Sequence, residues 1–308
     1  MRKRICILLV ICVMITLLPP AVLAADIVES GTWGSNLTWT LDSEGCFTIS
    51  GTGAMKDFSN SGSISPTSNR RNSIRSVIVG EGITSIGEFA FSNCDKLESA
   101  DIPDSVTKIG KGAFSSTALN SIAIPQNVRS IGEVAFSYCR SLSQVTIPDG
   151  VTSIGKNAFS GCTLIKQLSI PKSVKTIGDP AFYGCSSLQA FSVDKDNEYF
   201  FADSNGVLFD KDQKTLICFP PALSENYTVP DGVIKIAEGF YGCTKLKSVT
   251  LPDTLEELGN RAFYNCSGLQ HVVLPDSLKT IGDDSFYGCS ALVGYLWRAF
   301  DESRCQCV

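Results

Sequence analysis

The chain has 308 residues, of which 44% are hydrophobic and 19% are charged, a composition typical of a folded globular protein rather than a disordered one. Its 26 Lys and Arg residues against 31 Asp and Glu residues give a formal net charge of −5. This balance argues against a nucleic-acid partner, because proteins that bind nucleic acid need a basic face.

Residues 1–24 have the pattern of a secretory signal peptide. Three basic residues at positions 2–4 precede an apolar run over residues 5–18, and small residues precede a predicted cleavage site after Ala24. The run is short for a membrane span, so an uncleaved anchor is the less favoured alternative. Loss of the three basic residues leaves 23 Lys and Arg against 31 Asp and Glu, a balance of −8. We therefore expect a secreted or cell-surface protein with no membrane span after cleavage.

Residues 25–73 predict a cap at the N-terminal end of the fold. Apolar residues alternate with polar ones at 37–41 and 47–49, and a turn signal lies between these segments at 42–45. This pattern predicts a β-hairpin, which would cover the open end of a repeat stack. Residues 60–72 are polar and predict a loop.

One sequence motif recurs from residue 74 to residue 292. A phenylalanine marks each copy, with steps of 23, 22, 23, 23, 58, 23 and 23 residues: Phe91, Phe114, Phe136, Phe159, Phe182, Phe240, Phe263 and Phe286. An Ile-Gly pair such as Ile109-Gly110 precedes most of them at a fixed distance. A period of this length predicts a solenoid, in which each turn covers the apolar face of the next.

Each copy predicts one short strand followed by turns. In the copy LESADIPDSVTKIGKGAF, Ala100 faces the core of the strand, so that Ser99 and Asp101 face outward. The proline after the strand ends it and starts a turn. Gly110 permits a tight bend or a close approach of another backbone. Residues 111–115 predict a single helical or 3₁₀ turn.

The repeated motif resembles the BspA-like leucine-rich repeats over residues 74–292. The usual leucine-rich repeat has asparagine after its strand, and this chain has in that place Ser105, Asn127, Gly150, Ser173, Thr254 and Ser277. The resemblance implies an α/β horseshoe-like superhelix, mostly β and loop, with one parallel strand per repeat and an N-terminal β-hairpin cap. Family members resembling this chain are bacterial-type surface proteins associated with attachment to host matrix proteins or to neighbouring cells.

Two segments depart from the period. Residues 190–230 predict one extended repeat with a protruding hairpin, whose strands lie at 206–209 and 215–219, and a binding loop is the alternative. The acidic run at 194–198 resembles the start of a calcium loop but lacks its glycine and its final glutamate, so we predict a solvated turn. Residues 293–308 abandon the pattern and predict an irregular tail.

The cysteines predict buried thiols rather than disulfides or a metal centre. Seven of the thirteen occupy one phase of the repeat: Cys94, Cys139, Cys162, Cys185, Cys243, Cys266 and Cys289. Equivalent Cβ atoms in such a stack lie about 4.8 Å apart, whereas a disulfide needs about 3.8 Å and a defined torsion. A ladder does not converge on a metal ion, and Cys305 and Cys307 give only a weak metal or redox signal.

The single histidine, His271, predicts no catalytic centre. It lies at an outward strand position, and the sequence supplies no partner to hold it as a base. We therefore expect no enzyme, no cofactor and no metal. A hydrolase that depends on His271 is the remote alternative.

Two columns of outward strand residues form the candidate binding surface. They are small, polar and almost uncharged, and nine rungs would make a concave sheet roughly 40 Å long. We predict recognition of an extracellular protein or glycan, with host matrix as a candidate, while a structural or self-associating spacer is the alternative. A face that is merely kept soluble by these side chains is equally compatible with the sequence. The candidate residues are Ser99, Asp101, Ser121, Gln144, Thr146, Gln167, Ser169, Ser248, Thr250 and His271.

Overall fold

The computed structural model describes residues 25–59, residues 65–293 and the backbone of residues 295–297. The predicted signal peptide, part of the polar loop, and Cys305 and Cys307 of the tail lie outside the described residues. In chain order the strands are β1 Ile27–Thr32, β2 Leu37–Asp42, β3 Cys46–Gly51, β4 Gly53–Ala54, β5 Ser76–Val79, β6 Ile83–Ile86, β7 Ser99–Asp101, β8 Lys108–Ile109, β9 Ser121–Ala123, β10 Ser130–Ile131, β11 Gln144–Thr146, β12 Ser153–Ile154, β13 Gln167–Ile170, β14 Thr176–Ile177, β15 Ala190–Val193, β16 Phe200–Ala202, β17 Leu208–Asp210, β18 Thr215–Cys218, β19 Asn226–Thr228, β20 Lys235–Ile236, β21 Ser248–Thr250, β22 Glu257–Leu258, β23 His271–Leu274, β24 Thr280–Ile281 and β25 Tyr295–Trp297.

The predicted solenoid is confirmed, but each repeat contributes two parallel strands rather than one. The first row contains the strands that the sequence predicted, such as β7, which pairs with β5. The second row contains two-residue strands such as β8, which pairs with β6 and β10. These short strands form because the stacked turns bring the same main-chain atoms side by side, and the atoms must be paired once buried.

Glycine follows the second row because the backbones of successive turns touch there. A Cβ atom on Gly132 would lie 2.6 Å from the carbonyl carbon of Gly110, and one on Gly155 would lie 2.6 Å from that of Gly132. Real Cβ atoms do not approach a backbone so closely, so a side chain at either position would push two turns apart. The close approach predicted for Gly110 is therefore present.

The turns that follow these glycines form neither an α-helix nor a 3₁₀-helix, in contrast to the expectation for residues 111–115, and no described residue is in a helix. Single i→i+3 bonds remain, such as that from Ser115 N–H to the Gly112 carbonyl at 3.1 Å. Alternate amides donate to the next repeat instead, as Phe91 N–H does to the Ala113 carbonyl and Phe114 N–H to the Ala135 carbonyl, both at 2.8 Å. An α-helix would need those amides for bonds within the same turn. Two residues in most repeats, and one in the turns of Phe182 and Phe240, adopt positive φ in this arrangement, for example Tyr138 at 60°.

The core is a column of phenylalanine rings. The ring centroids of Phe114 and Phe136 lie 5.6 Å apart, those of Phe136 and Phe159 lie 5.5 Å apart, and both pairs are nearly parallel. All three side chains are fully buried. The rings stack within one cluster that also contains the aliphatic side chains of each turn, so the core extends by repetition rather than around one centre.

The extended repeat is built into the solenoid and does not protrude as predicted. Its strands β16, β17 and β18 form an antiparallel meander, and β18 pairs in parallel with β20 of the next repeat. Leu208, Phe209 and Leu216 are buried. The apolar side chains of the hairpin explain this position, since a protruding hairpin would expose them to water. The buried residues form two separate cores, which meet within this meander.

The N-terminal segment adds antiparallel strands to the end of the first row. β2 pairs with both β1 and β3, and β3 pairs in parallel with β5. The predicted hairpin corresponds to β2 and β3, while β1 is an additional strand. Trp39 stacks on Phe47 with ring centroids 5.0 Å apart, and both side chains are buried. Aromatic rings therefore cover the first turn of the stack.

Candidate binding surface

The outward residues of the first-row strands from β5 to β23 form one surface, which is called the strand face below. Nine of the ten predicted residues are exposed on it, and Ser248 is half-buried. The alternation that places them outward follows from β geometry, because Ile122 and Leu168 of the same strands are buried.

Neighbouring turns bring several predicted residues side by side. Ser121 is the register partner of Gln144, and Ser248 is that of His271. Ser169 Oγ lies 2.7 Å from Ser192 Oγ on the next strand. Parallel strands lie about 4.8 Å apart, so the polar side chains recur at that spacing along the face.

The strand face is divided where the extended repeat enters. β15 pairs with β13 but not with β19. Instead, Phe191 N–H donates to the Gly206 carbonyl at 2.9 Å. A Cβ atom at Gly206 would lie 2.4 Å from Ala190 Cβ, so only glycine fits this contact. Ser248, Thr250 and His271 therefore lie on a separate section of the strand face from the other seven predicted residues.

Sequence reasoning missed two residues of the strand face, Asn226 and Thr228 of β19. Both are exposed, and Asn226 Oδ1 accepts a hydrogen bond of 2.6 Å from Ser248 Oγ. A signal for them was present, because YTVPDGV at residues 227–233 repeats VTIPDGV at residues 145–151.

Charged side chains lie mainly outside the strand face. Ion pairs join successive turns on other surfaces, such as Lys111 with Glu133 at 2.8 Å and Lys235 with Glu257 at 2.8 Å. On the strand face itself only Asp101 carries a permanent charge among the predicted residues. The surface can therefore offer hydrogen-bond donors and acceptors to a partner without a dominant electric field.

Six of the seven cysteines of the repeat phase are buried, Cys289 is half-buried, and none forms a disulfide among the described residues. All of these thiols except that of Cys94 donate to a carbonyl oxygen of the preceding turn, as Cys162 Sγ does to Phe136 at 3.1 Å and Cys185 Sγ to Phe159 at 3.2 Å. Burial raises the pKa of the Cys185 thiol to about 12. A neutral thiol bonded to a carbonyl is a structural group rather than a nucleophile or metal ligand.

The other chemical candidates receive no support from geometry. Within residues 25–59 and 65–293, no three His, Cys, Asp or Glu side chains come together as a metal ion would require. Asn197 of the calcium-like run is fully buried instead of solvated. In the part of the chain that the structure describes, no helix has the length and apolar character needed to cross a membrane.

The repeat geometry agrees with a comparison of the sequence with known families. The BspA type leucine rich repeat region matches residues 62–204 and 217–295 in six copies. The chain belongs to this family. Residues 205–216, between the two matched stretches, fall outside the family pattern and include β17 of the antiparallel meander.

Solved structures of bacterial leucine-rich repeat proteins have the same fold as this chain. A leucine-rich repeat protein from Eubacterium ventriosum is 31% identical, with a TM-score of 0.80 over 88% of this chain and 72% of that one. A leucine rich cell surface protein from Faecalibacterium prausnitzii is 25% identical, with a TM-score of 0.60 over 90% of this chain and 97% of that one. The pneumococcal vaccine antigen PcpA shares the fold at 22% identity, with a TM-score of 0.65 over 88% of this chain and 82% of that one. No curated protein sequence matches the chain.

Proposed function

We propose that the chain is a secreted or cell-surface adhesion module that binds an extracellular protein or glycan across its strand face, without catalysis. The signal-peptide pattern of residues 1–24 supports export. Similarity to a leucine rich cell surface protein supports a location at the cell surface. The recognition would consist of many weak contacts on a rigid scaffold.

The observation that carries this proposal is the chemical contrast between the strand face and the other surfaces. Exposed Ser, Thr, Gln and Asn side chains fill successive rungs of the strand face, whereas inter-turn ion pairs occupy other surfaces. Ordered hydrogen-bonding groups at a regular spacing suit an extended chain of residues or sugars. A small substrate would instead need a deep, largely apolar pocket.

The test is binding of the exported chain to arrays of matrix proteins and glycans. In the double variant Gln144→Lys with Gln167→Lys, two lysines enter the centre of the strand face, and we expect affinity for any ligand found to fall at least about tenfold. The control variant carries the same charge change on the second row, at the exposed residues Thr107 and Thr176. Absence of any ligand, or equal loss of affinity in both variants, would count against the proposal.

Self-association is a second candidate, favoured by the edge strand β1. Ile27 and Val28 on this strand are 64% and 57% exposed, and its outer edge has no partner strand among the described residues. Exposed edge strands with apolar side chains pair readily with other chains. Sedimentation would show concentration-dependent assembly that Val28→Lys abolishes, whereas a monomer at all concentrations would exclude this role.

A further inference from the structure

The residue that follows each core phenylalanine changes from serine to tyrosine halfway along the solenoid. In the first four turns it is serine, and Ser92, Ser137 and Ser160 are buried. A small side chain therefore satisfies the packing at this place, and the tyrosines of the last four turns add an aromatic surface that the core does not require. These residues, called the tyrosine column below, are Tyr183, Tyr241, Tyr264 and Tyr287.

The four rings of the tyrosine column contact one another from turn to turn. Ring centroids lie 4.0 Å apart for Tyr183 and Tyr241, 4.8 Å for Tyr241 and Tyr264, and 5.0 Å for Tyr264 and Tyr287. The first three side chains are half-buried, whereas Tyr287 is 62% exposed. Rings that are held in place by their neighbours lose little conformational freedom when a partner binds, and tyrosine is enriched at protein interfaces.

The backbone beside the first two rings is open. Gly184 follows Tyr183, and Gly242 follows Tyr241. A Cβ atom at Gly242 would meet only the ring of Tyr183, at 3.8 Å, and one at Gly184 would meet only the backbone of Gly161, at 3.5 Å. Both distances are ordinary van der Waals contacts, so there is room for a partner next to these rings.

An acidic groove of about 610 Å³ runs along the second-row strands β20, β22 and β24. Asp179 and Glu238 line this groove, and both also line a small cavity together with Tyr183 and Tyr241. These two carboxyl groups therefore connect the acidic groove with the tyrosine column. The polar side chains of the groove belong to Asp179, Lys235, Glu238, Glu257, Asn260 and Thr280.

The acidic groove carries an excess of negative charge. Lys235 and Glu257 neutralise each other as an ion pair at 2.8 Å. Asp179 and Glu238 form no ion pair with another described residue, although Lys156 acts on both electrostatically. Glu238 Oε2 also has no hydrogen-bond partner among the described residues. Burial raises the pKa of Glu238 to about 7, so a cation that entered the groove would favour the ionised carboxylate.

The chain itself shows how a guanidinium group fits this surface. Arg261 Cζ lies 5.7 Å from the ring centroid of Tyr264, and Arg261 Nε lies 3.6 Å from Asp284 Oδ2 on the next turn. Arginine combines contact with an aromatic ring and pairing with a carboxylate better than lysine does, because its guanidinium is planar. In the part of the chain that the structure describes, no cationic side chain lies over the ring of Tyr183 or Tyr241.

We propose that the tyrosine column and the acidic groove form a second docking surface, which binds an arginine-containing segment of another protein. Guanidinium groups of this segment contact the rings of Tyr183 and Tyr241 and pair with the carboxylates of Asp179 and Glu238. The tyrosine column extends over four turns, which favours an extended segment over a single small cation. The surface is separate from the strand face, so the chain can hold this partner whatever the strand face binds.

The first test measures the binding of two fluorescent peptides to the exported chain by anisotropy at 150 mM salt. One peptide contains four arginines that alternate with serine, and the other has lysine in place of each arginine. We expect the arginine peptide to bind at least about fivefold more tightly, because a guanidinium stacks on tyrosine while it pairs with a carboxylate. Equal affinities, which charge attraction alone would give, or no binding of either peptide would overturn the proposal.

The second test uses variants of the exported chain with the same arginine peptide. Glu238→Gln and Tyr241→Ser, which introduces the residue of the first four turns, should each lower the affinity at least about fivefold. Glu133→Gln removes an exposed carboxylate from the corresponding place in an N-terminal turn and should leave the affinity unchanged. The strand-face double variant Gln144→Lys with Gln167→Lys should bind the peptide within about twofold of the wild type, which separates this surface from the proposed adhesion site.

Circular dichroism verifies that each variant is folded, and the comparison of the two peptides on the wild type needs no variant. If Glu238→Gln binds the arginine peptide as the wild type does, or if Glu133→Gln loses as much affinity as Glu238→Gln, the docking surface is refuted.

Discussion

Replacement of Asn197 by alanine should strongly destabilise the solenoid. Asn197 Nδ2 donates to the carbonyls of Pro171 and Val174, at 2.8 and 3.1 Å. Its Oδ1 accepts from the amides of Tyr199 and Phe200, both at 2.8 Å. The residue is fully buried, so alanine would leave these main-chain groups without the partner that joins two successive turns.

The expected loss of stability follows from the four hydrogen bonds of the Asn197 side chain that alanine cannot form. Four hydrogen bonds at about 1 kcal/mol net each would give about 4 kcal/mol. Tyr199 is 41% exposed, so its amide can regain a bond to water, whereas Phe200 itself is buried. The free energy of unfolding should therefore fall by about 3 kcal/mol, a large effect for a single substitution.

Urea unfolding followed by circular dichroism measures this loss. The matched control is Asn205→Ala, because Asn205 is exposed in the same extended repeat and its side chain only approaches Asp203. We expect the control to change stability by less than about 0.5 kcal/mol. If Asn197→Ala folds and stays within about 1 kcal/mol of the wild type, the assignment of these four bonds is wrong.

Two further predictions concern the core. The thiols of Cys162 and Cys185 should resist iodoacetamide in the native protein even at pH 9, because burial keeps the thiols neutral. They should react once urea unfolds the chain. Mass spectrometry that finds rapid alkylation of the native protein would contradict this prediction. Phe263→Ala removes one ring from the stack between Phe240 and Phe286 and should cost about 3–5 kcal/mol. Hydrogen exchange should then show lost protection mainly in the C-terminal core, which contains Phe240 and Phe263, and an equal loss around Phe136 would show that the two cores are a single cooperative unit.

The period and the identity of the core residues were predictable because each copy carries the same apolar pattern. The second row of strands was not, since two-residue strands exist only through pairing with adjacent turns and have no alternation of their own. The helical turn was wrong for a related reason. The sequence shows which residues turn inward, but not that their amides bond to the next repeat.

Asn197 was missed in the sequence because it lies one position away from the place that the repeat period predicts. Ser173 donates its hydroxyl to the Val151 carbonyl at 2.7 Å, and Asn197 donates its amide to the Val174 carbonyl in the corresponding place. The two residues are 24 positions apart rather than 23, and acidic neighbours surround Asn197. A fixed step of 23 lands on Asp196 and misses Asn197. The run was interpreted as a solvated turn because it resembles an incomplete calcium loop.

The position of the extended repeat was beyond sequence reasoning for a different reason. Phe182 and Phe240 are 58 residues apart, and this step does not reveal which turns become neighbours. The division of the strand face has the same origin. Only the contact between Phe191 and Gly206 shows that a loop, and not β19, follows β15.

The stacked phenylalanine rings repeat the same contact from one turn to the next, so the length of the solenoid does not depend on the residues of any single turn. A block of about 23 residues can enter or leave without redesign of any other block, and each one changes the reach of the molecule by about 4.8 Å. Duplication or deletion of a repeat in the coding sequence would therefore change the length of the protein. Point substitutions on the strand face would change the ligand that it binds.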